Sequence, residues 1–216
     1  MRSAFLFSLA LAGFLLAGCT YEQNRSPEAH FAAFKTVPPN GNVITICHAY
    51  GCKISTKVHL SAKDVADVKK LMDASRKDDS AAEERRAIAY AVGWLETRIG
   101  NEIGTSADRA GMELAGPGDP TQMDCVDEAT NTTAYMLFLQ NNGFLKHHTV
   151  GTPFAKDNLI KGIAGWTHWT AVLKENPAGQ KWAVDSWIYA NGENPAVVEA
   201  EHWYIDDLAS LPKPTH

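Results

Sequence analysis

Apolar residues recur at helical spacing in three stretches of the chain. They predict helices over Asp64 to Ser75, over Ser80 to Arg98 and over Cys125 to Asn142. Ser61 is positioned to cap the first of these helices, and Asn142-Gly143 supplies a stop for the third. The intervening segment from Gly100 to Pro120 is rich in Gly, Asp and Pro, so we expect a loop there.

Two other stretches alternate in the way that is typical of β-hairpins. The first runs from Val43 to Ile54 around a Tyr-Gly turn. The second consists of Trp166 to Leu173 and Lys181 to Tyr189, separated by Asn-Pro-Ala-Gly.

The register of the second hairpin decides which polar side chains meet. If Lys174 faces Lys181, then His168 lies opposite Trp187 and diagonal to Asp185 on the same face. A slip of one residue would place His168 and Asp185 on opposite faces. We therefore expect the two side chains to touch only in the first register.

The N-terminus is typical of an export signal. Arg2 precedes an apolar run from Ala4 to Leu16. This run is shorter than the stretch of about 20 apolar residues that a membrane-spanning helix needs. Its end, Leu-Ala-Gly-Cys19, resembles the bacterial lipobox, in which the cysteine is lipidated after cleavage. This predicts a signal peptide over 1–18, a lipidated tether over 19–42 and a single domain over 43–216; an ordinary secretory signal cut elsewhere is the alternative.

The predicted anchor carries an expectation about location. Thr20, rather than an acid, follows Cys19, which resembles the enterobacterial address for the outer membrane, with the domain facing the periplasm. The formal net charge is -5 and no basic run is present, which argues against nucleic acid as a partner. We expect a peptide, protein or peptidoglycan partner, and membrane contact through the lipid.

The chain has four cysteines, and the lipid would use one of them. Cys47 and Cys52 flank the turn of the first hairpin, which could place them opposite each other at disulfide distance. A reduced pair or a pair of metal ligands is the alternative, although no second pair at zinc spacing is present. Cys125 is then left over, and in an oxidising envelope an odd cysteine indicates a free thiol or an intermolecular bridge.

Three polar residues stand in positions that suit thiol chemistry. Cys125 opens a helix, whose partial positive charge favours a thiolate. His168 and Asp185 lie in strands that are otherwise largely apolar. A nucleophile, a base and a group that orients the base are the parts that nucleophilic catalysis requires.

The order Cys at a helix start, His on a strand and Asp on the next strand resembles the transglutaminase-like cysteine enzymes. The resemblance covers roughly residues 120–190. It implies an α+β, papain-like fold in which the cysteine helix packs on an antiparallel sheet, without a cofactor or a metal. It also implies acyl transfer on amides, with Cys125 as nucleophile, His168 as base and acid, and Asp185 as orienter.

Two more residues have expected roles within this resemblance. Gln122 is the nearest upstream side chain that could contribute to an oxyanion hole; the Cys125 backbone N–H is the alternative. Trp187, across from His168, could form a wall of the substrate cleft.

Acidic neighbours leave other functions open. Asp124, Asp127 and Glu128 surround Cys125 in sequence and would raise the pKa of its thiol, although they also suit a helix cap. A catalytically inactive transglutaminase-like module that binds an envelope partner is therefore an alternative. A metal-binding lipoprotein is a third; the His147-His148 pair is a weak ligand set, and we expect it in a solvated turn.

Overall fold

The computed structural model describes residues 26–111, 115–156 and 167–205. These ranges form an α+β fold with five helices and two antiparallel sheets. The predicted signal peptide and Cys19 lie outside the described residues. Among the helices that are described, none combines the length and the apolar character needed to span a membrane.

One helix and a hairpin come first, three helices follow, and five strands precede the last described helix. The elements are α1 (Pro27–Ala33), β1 (Val43–His48), β2 (Ile54–His59), α2 (Ala62–Ser75), α3 (Ala81–Ile103), α4 (Cys125–Asn141), β3 (His148–Val150), β4 (Phe154–Lys156), β5 (His168–Glu175), β6 (Lys181–Asp185), β7 (Ala196–Glu199) and α5 (Ala200–Ile205). Strands β1 and β2 form one sheet. The larger sheet has the order β3-β5-β6-β7, and β4 also pairs with β5.

Part of the segment predicted as a tether is folded. Pro27–Ala33 form α1, and its Phe31 is fully buried in the main core. His30 is also buried, and its Nε2 lies 2.8 Å from Thr130 Oγ1 on α4. Helix α1 therefore docks on the main core and on α4, ahead of residue 43, where the sequence predicts that the domain begins.

The first hairpin forms, but its cysteines do not face each other across the strands. Cys47 pairs in register with Ser55, whereas Cys52 lies in the connecting loop. The loop turns through left-handed backbone at Ala49 and Tyr50, with φ of 70° and 72°. The disulfide Cys47–Cys52 is present and closes this loop. The expectation that the two cysteines lie opposite each other on the strands was wrong. The connecting loop is longer than a two-residue turn, so Cys52 belongs to the loop and not to β2.

Helix α2 begins where its cap predicts. Ser61 and Asp64 form a reciprocal capping box at its start. Helix α3, by contrast, continues past the predicted end at Arg98 to Ile103. Gly100 lies inside it because the backbone there approaches another segment: a β-carbon at Gly100 would stand 2.9 Å from Asn191 Nδ2. Gly104, with φ of 88°, ends the helix.

Helix α4 runs through the centre of the fold and packs against β1, β5 and β6. Its buried positions extend without a break from Asp127 to Leu139. One apolar face was expected, but polar side chains are buried on the others because each has a hydrogen-bond partner. The partners include Cys47 for Asn131, Ser186 for Thr132 and Ala129 for Thr133.

The second hairpin has the register that places His168 near Asp185. Lys174 pairs with Lys181, and the ladder continues to Ala171 opposite Val184. Strand β6 ends at Asp185, short of the expected Tyr189.

The expectation of a solvated His148 was wrong: its side chain is fully buried on β3, and its Nδ1 lies 3.0 Å from Glu84 Oε1 on α3.

Candidate active site around Cys125

Cys125 is the first residue of α4, and a built cap holds this end of the helix. The Asp124 carboxylate accepts the backbone N–H groups of Val126 and Asp127 at 3.1 and 2.9 Å. The Asp127 side chain in turn accepts the N–H of Asp124, which completes a capping box. The expected capping role is thus confirmed for Asp124 and Asp127, and the cap fixes the backbone that carries Cys125.

The thiol of Cys125 points toward the start of β5. Its Sγ donates to the Thr167 carbonyl oxygen at 3.5 Å, and the N–H of Trp169 is close enough to stabilise a thiolate. These two backbone groups belong to the residues on either side of His168. The sulfur therefore lies against the segment that carries the imidazole.

His168 and Asp185 form a buried pair at the ends of adjacent strands. His168 Nε2 lies 2.7 Å from Asp185 Oδ2, and both residues are almost inaccessible to solvent. A carboxylate can only accept, so Nε2 carries the proton in this contact. In neutral imidazole the other nitrogen, Nδ1, is then the basic one. Nδ1 is buried and has no hydrogen-bond partner within 26–111, 115–156 and 167–205.

Two indole rings enclose the imidazole. The ring centroid of Trp187 is 4.6 Å from that of His168, and the ring centroid of Trp203 is 5.3 Å from that of His168. Trp187 is half-buried, and its carbonyl oxygen accepts the N–H of Gly111 at 2.7 Å. The placement of Trp187 beside His168 agrees with the register that predicts it.

Burial and negative charge act together on the Cys125 thiol. Burial is the largest cause, and the charges of Asp124 and Asp185 add to it, so that the pKa of Cys125 rises to about 12. The backbone N–H groups of Trp169 and Cys125 oppose this rise. At neutral pH the resting sulfur is therefore a protonated thiol, and a base must remove its proton during any attack.

Gln122 uses its amide group elsewhere. Its Nε2 donates to the Ala107 carbonyl oxygen at 3.1 Å and lies 3.4 Å from both oxygen atoms of Thr121. Its backbone carbonyl accepts the N–H of Ala49. These contacts tie the loop before α4 to its neighbours, and they occupy the donors that an oxyanion hole would need.

Asp127 and Glu128 face away from the thiol, into the fold. Asp127 accepts the N–H groups of Tyr50 and Cys52 at 2.8 and 2.6 Å, which docks the disulfide loop on α4. Burial raises the pKa of Asp127 to about 8. Glu128 accepts the Ser186 hydroxyl at 2.7 Å, immediately behind Asp185. Asp127 thus holds the disulfide loop against α4, and Glu128 holds the residue that follows Asp185.

Two contributors were not predicted from the sequence. Trp203 lies on α5, and its Nε1 donates to Asp185 Oδ2 at 2.7 Å. Glu96 on α3 is buried, and its carboxyl group interacts electrostatically with that of Glu128. Glu96 reads as one more polar residue of an amphipathic helix, and no periodicity distinguishes it from a solvated position.

One group of side chains in the described part of the chain has metal-ligand spacing. The donor atoms of Cys47, Cys52 and Asp127 lie within 4.8 Å of one another. Both sulfurs are joined in the disulfide, so neither is available as a thiolate ligand. His147 instead bonds to Asp79, at 3.0 Å.

No family model, curated protein or solved structure matches the chain.

Proposed function

We propose that this protein is a transglutaminase-like cysteine enzyme of papain-like fold that transfers acyl groups from amides. The observation that carries the proposal is the buried His168–Asp185 pair, whose Nδ1 has no hydrogen-bond partner in the described ranges, together with the Cys125 thiol, which donates to the carbonyl oxygen of the residue before His168. Three separate elements thus supply a nucleophile, a base and an orienting carboxylate, which are the parts that this chemistry requires.

The raised pKa of Cys125 selects the form of the mechanism. Because the resting thiol is protonated, His168 Nδ1 takes its proton while Sγ attacks the amide carbonyl carbon. The attack does not start from a preformed thiolate. Asp185 stabilises the imidazolium through Nε2. The Cys125 backbone N–H at the helix start is the donor we assign to the developing oxyanion, since the Gln122 amide is engaged elsewhere.

The remaining steps balance protons and bonds. The tetrahedral intermediate collapses, the C–N bond breaks, and His168 returns its proton to the leaving nitrogen. A thioester then links the acyl group to Cys125. Water or an amine attacks this thioester, and His168 takes a proton from the attacking molecule. The Cys125 thiolate then leaves and receives that proton from His168. Hydrolysis and transamidation share every residue in this scheme.

The proposed location follows from the predicted lipid anchor at Cys19. A domain held at the envelope reaches peptides, proteins and peptidoglycan crosslinks, which are amide substrates. Metabolic labelling with an alkyne-bearing fatty acid should label the wild-type chain in a bacterial host, and Cys19→Ser should abolish the label. Equal labelling of both chains would contradict the anchor without touching the chemistry of Cys125.

The test of the enzyme proposal is alkylation of Cys125 by iodoacetamide as a function of pH. We expect His168→Ala to lower the rate near pH 7 by at least about tenfold, since general bases contribute about 10²–10⁴. His59→Ala removes an exposed histidine on β2 and is the matched control. A rate that follows the titration of a lone thiol and is equal in wild type and His168→Ala would overturn the proposal.

A second candidate is a binding module in which the three residues have only a structural role. The observation that favours it is the thiol itself, which is protonated at neutral pH and donates to Thr167. This candidate predicts that no acyl group accumulates on Cys125 when the protein is incubated with p-nitrophenyl acetate. Mass spectrometry of the Cys125 peptide separates the two candidates.

A further inference from the structure

Among the described residues, the contacts to the Asp185 carboxylate all reach one of its two oxygens. Oδ2 accepts both His168 Nε2 and Trp203 Nε1, each at 2.7 Å. Oδ1 is buried and has no hydrogen-bond partner in the described ranges. A carboxylate bound by His168 alone could rotate about its terminal torsion, which is a soft coordinate. Two donors from different elements fix both the position of Oδ2 and the direction of its contact with the imidazole.

Trp203 is itself rigidly placed. Its side chain is fully buried on α5, and its ring packs edge-on against Phe154 with centroids 5.1 Å apart. Lys156 Nζ donates to the Trp203 carbonyl oxygen at 2.6 Å and lies 4.3 Å from the ring centroid. The indole N–H therefore meets Asp185 from a direction set by β4 and by the buried side chains that pack with Trp203, which are Phe154, Val172, Ala183 and Ala200.

We propose that Trp203 is a positioning residue of the active site, which orients His168 through Asp185. This inference rests on the proposed function for its effect on chemistry, but the orientation of His168 can be measured without any reaction. It makes α5 a part of the catalytic apparatus, although this helix lies beyond the three elements that carry the nucleophile, base and carboxylate. Trp203 differs in this from Trp187, whose Nε1 has no partner among the described residues.

The decisive variants remove the indole N–H and keep the bulk. Trp203→Phe retains an aromatic ring, and replacement of Trp203 by benzothienylalanine exchanges N–H for sulfur in a ring of nearly the same shape. The matched control is Trp182→Phe. Trp182 Nε1 also donates to a carboxylate, that of Glu175 at 3.2 Å, but the contact belongs to the opposite part of the sheet, beside Arg85.

The first readout is the tautomer of His168 in the wild-type protein and its variants, from nitrogen-15 chemical shifts of the imidazole. We expect the wild type and Trp182→Phe to hold the proton on Nε2. Both Trp203 replacements should show a mixture of tautomers, because Asp185 is no longer fixed. A pure Nε2–H tautomer in the folded benzothienylalanine protein would overturn the inference.

The second readout is the pH–rate profile of Cys125 alkylation by iodoacetamide. Loss of one hydrogen bond to a charged group should lower the rate near pH 7 by about tenfold in both Trp203 replacements, and the profile should move toward that of His168→Ala. An unchanged profile in the benzothienylalanine protein would contradict the inference, provided that wild type and His168→Ala differ. If these two do not differ, the proposed function fails, and the tautomer measurement alone decides the role of Trp203. The benzothienylalanine protein keeps the test valid if Trp203→Phe does not fold.

Discussion

His168 Nε2 contacts Asp185 Oδ2 at 2.7 Å across the β5–β6 ladder, although the two residues do not pair directly in register. The contact is diagonal: the ladder that pairs Ala171 with Val184 places Trp187 beyond Asp185, across from His168. This geometry is possible because side chains one step apart on the same face of adjacent strands remain within reach of a long imidazole. The position of Asp185 thus sets the tautomer of the base.

Asp185→Asn should remove the charge of the pair while preserving its shape. The amide oxygen can still accept both His168 Nε2 and Trp203 Nε1 at the position of Oδ2, but a neutral amide cannot stabilise the imidazolium that forms when His168 takes the thiol proton. We expect the alkylation rate of Cys125 near pH 7 to fall by about a hundredfold or to the level of His168→Ala. Thermal unfolding should show that the variant is folded. A rate within a factor of two of wild type would show that the charge of Asp185 does not assist His168.

Gly93→Ala tests the close approach of α3 to the loop after β6. A β-carbon at this position would lie 2.8 Å from Asn194 Oδ1 and 3.0 Å from the Gly192 carbonyl oxygen. Alanine in a helix interior normally stabilises relative to glycine by about 1 kcal/mol. Here we expect a loss of about 1–3 kcal/mol in the free energy of unfolding, measured by urea denaturation, because backbone must shift.

The matched control for Gly93→Ala is Asn101→Ala, an exposed position on the same helix. Its effect should remain within about 0.5 kcal/mol. A Gly93→Ala protein as stable as wild type would show that the loop yields without cost.

His30 should make the protein less stable in mild acid. Burial lowers the pKa of His30 from 6.5 to about 4, so the unfolded chain takes up this proton first as the pH falls. Between pH 6.5 and 4 the free energy of unfolding should therefore decrease by about 1.4 kcal/mol per pH unit from this group. Chemical denaturation over this range checks the slope.

His30→Gln is the comparison for that slope. Glutamine does not titrate and can still bond to Thr130, so the variant should lack the contribution of His30. Parallel slopes for the two proteins would show that His30 is not buried as a neutral imidazole.

Glu96 should act in the opposite direction and in a higher range. Burial raises its pKa from 4.5 to about 8, so the unfolded chain loses this proton first as the pH rises. The stability that the protonated carboxyl contributes is fully present below pH 4.5 and is lost as the pH rises through about 8. We expect Glu96→Gln, which stays neutral, to be close to wild type at pH 4.5 and more stable at pH 8.

Urea denaturation of both proteins at several pH values checks this expectation. Glu102→Gln, on the exposed end of α3, is the control and should show no such divergence. A constant difference between Glu96→Gln and wild type across the range would contradict a neutral Glu96 in the folded protein.

Much of the site was predictable from local pattern. The helix that begins at Cys125, its acidic cap and the second hairpin all follow from short-range chemistry: capping residues, apolar period and turn residues act over a few positions. The hairpin register then follows from the turn, and it brings His168 to Asp185. The sequence by itself therefore determined the secondary structure that carries these residues and the face on which two of them meet.

Only the tertiary structure decided what surrounds them. The docking of Phe31, the course of α3 through Gly100 and the contact of Trp203 with Asp185 each join segments that are distant along the chain. Periodicity reports how much of an element is buried, but not against what, because any apolar surface satisfies the same pattern. A polar atom such as the Trp203 N–H obtains its partner only when packing has fixed both elements, so its role is invisible in the sequence.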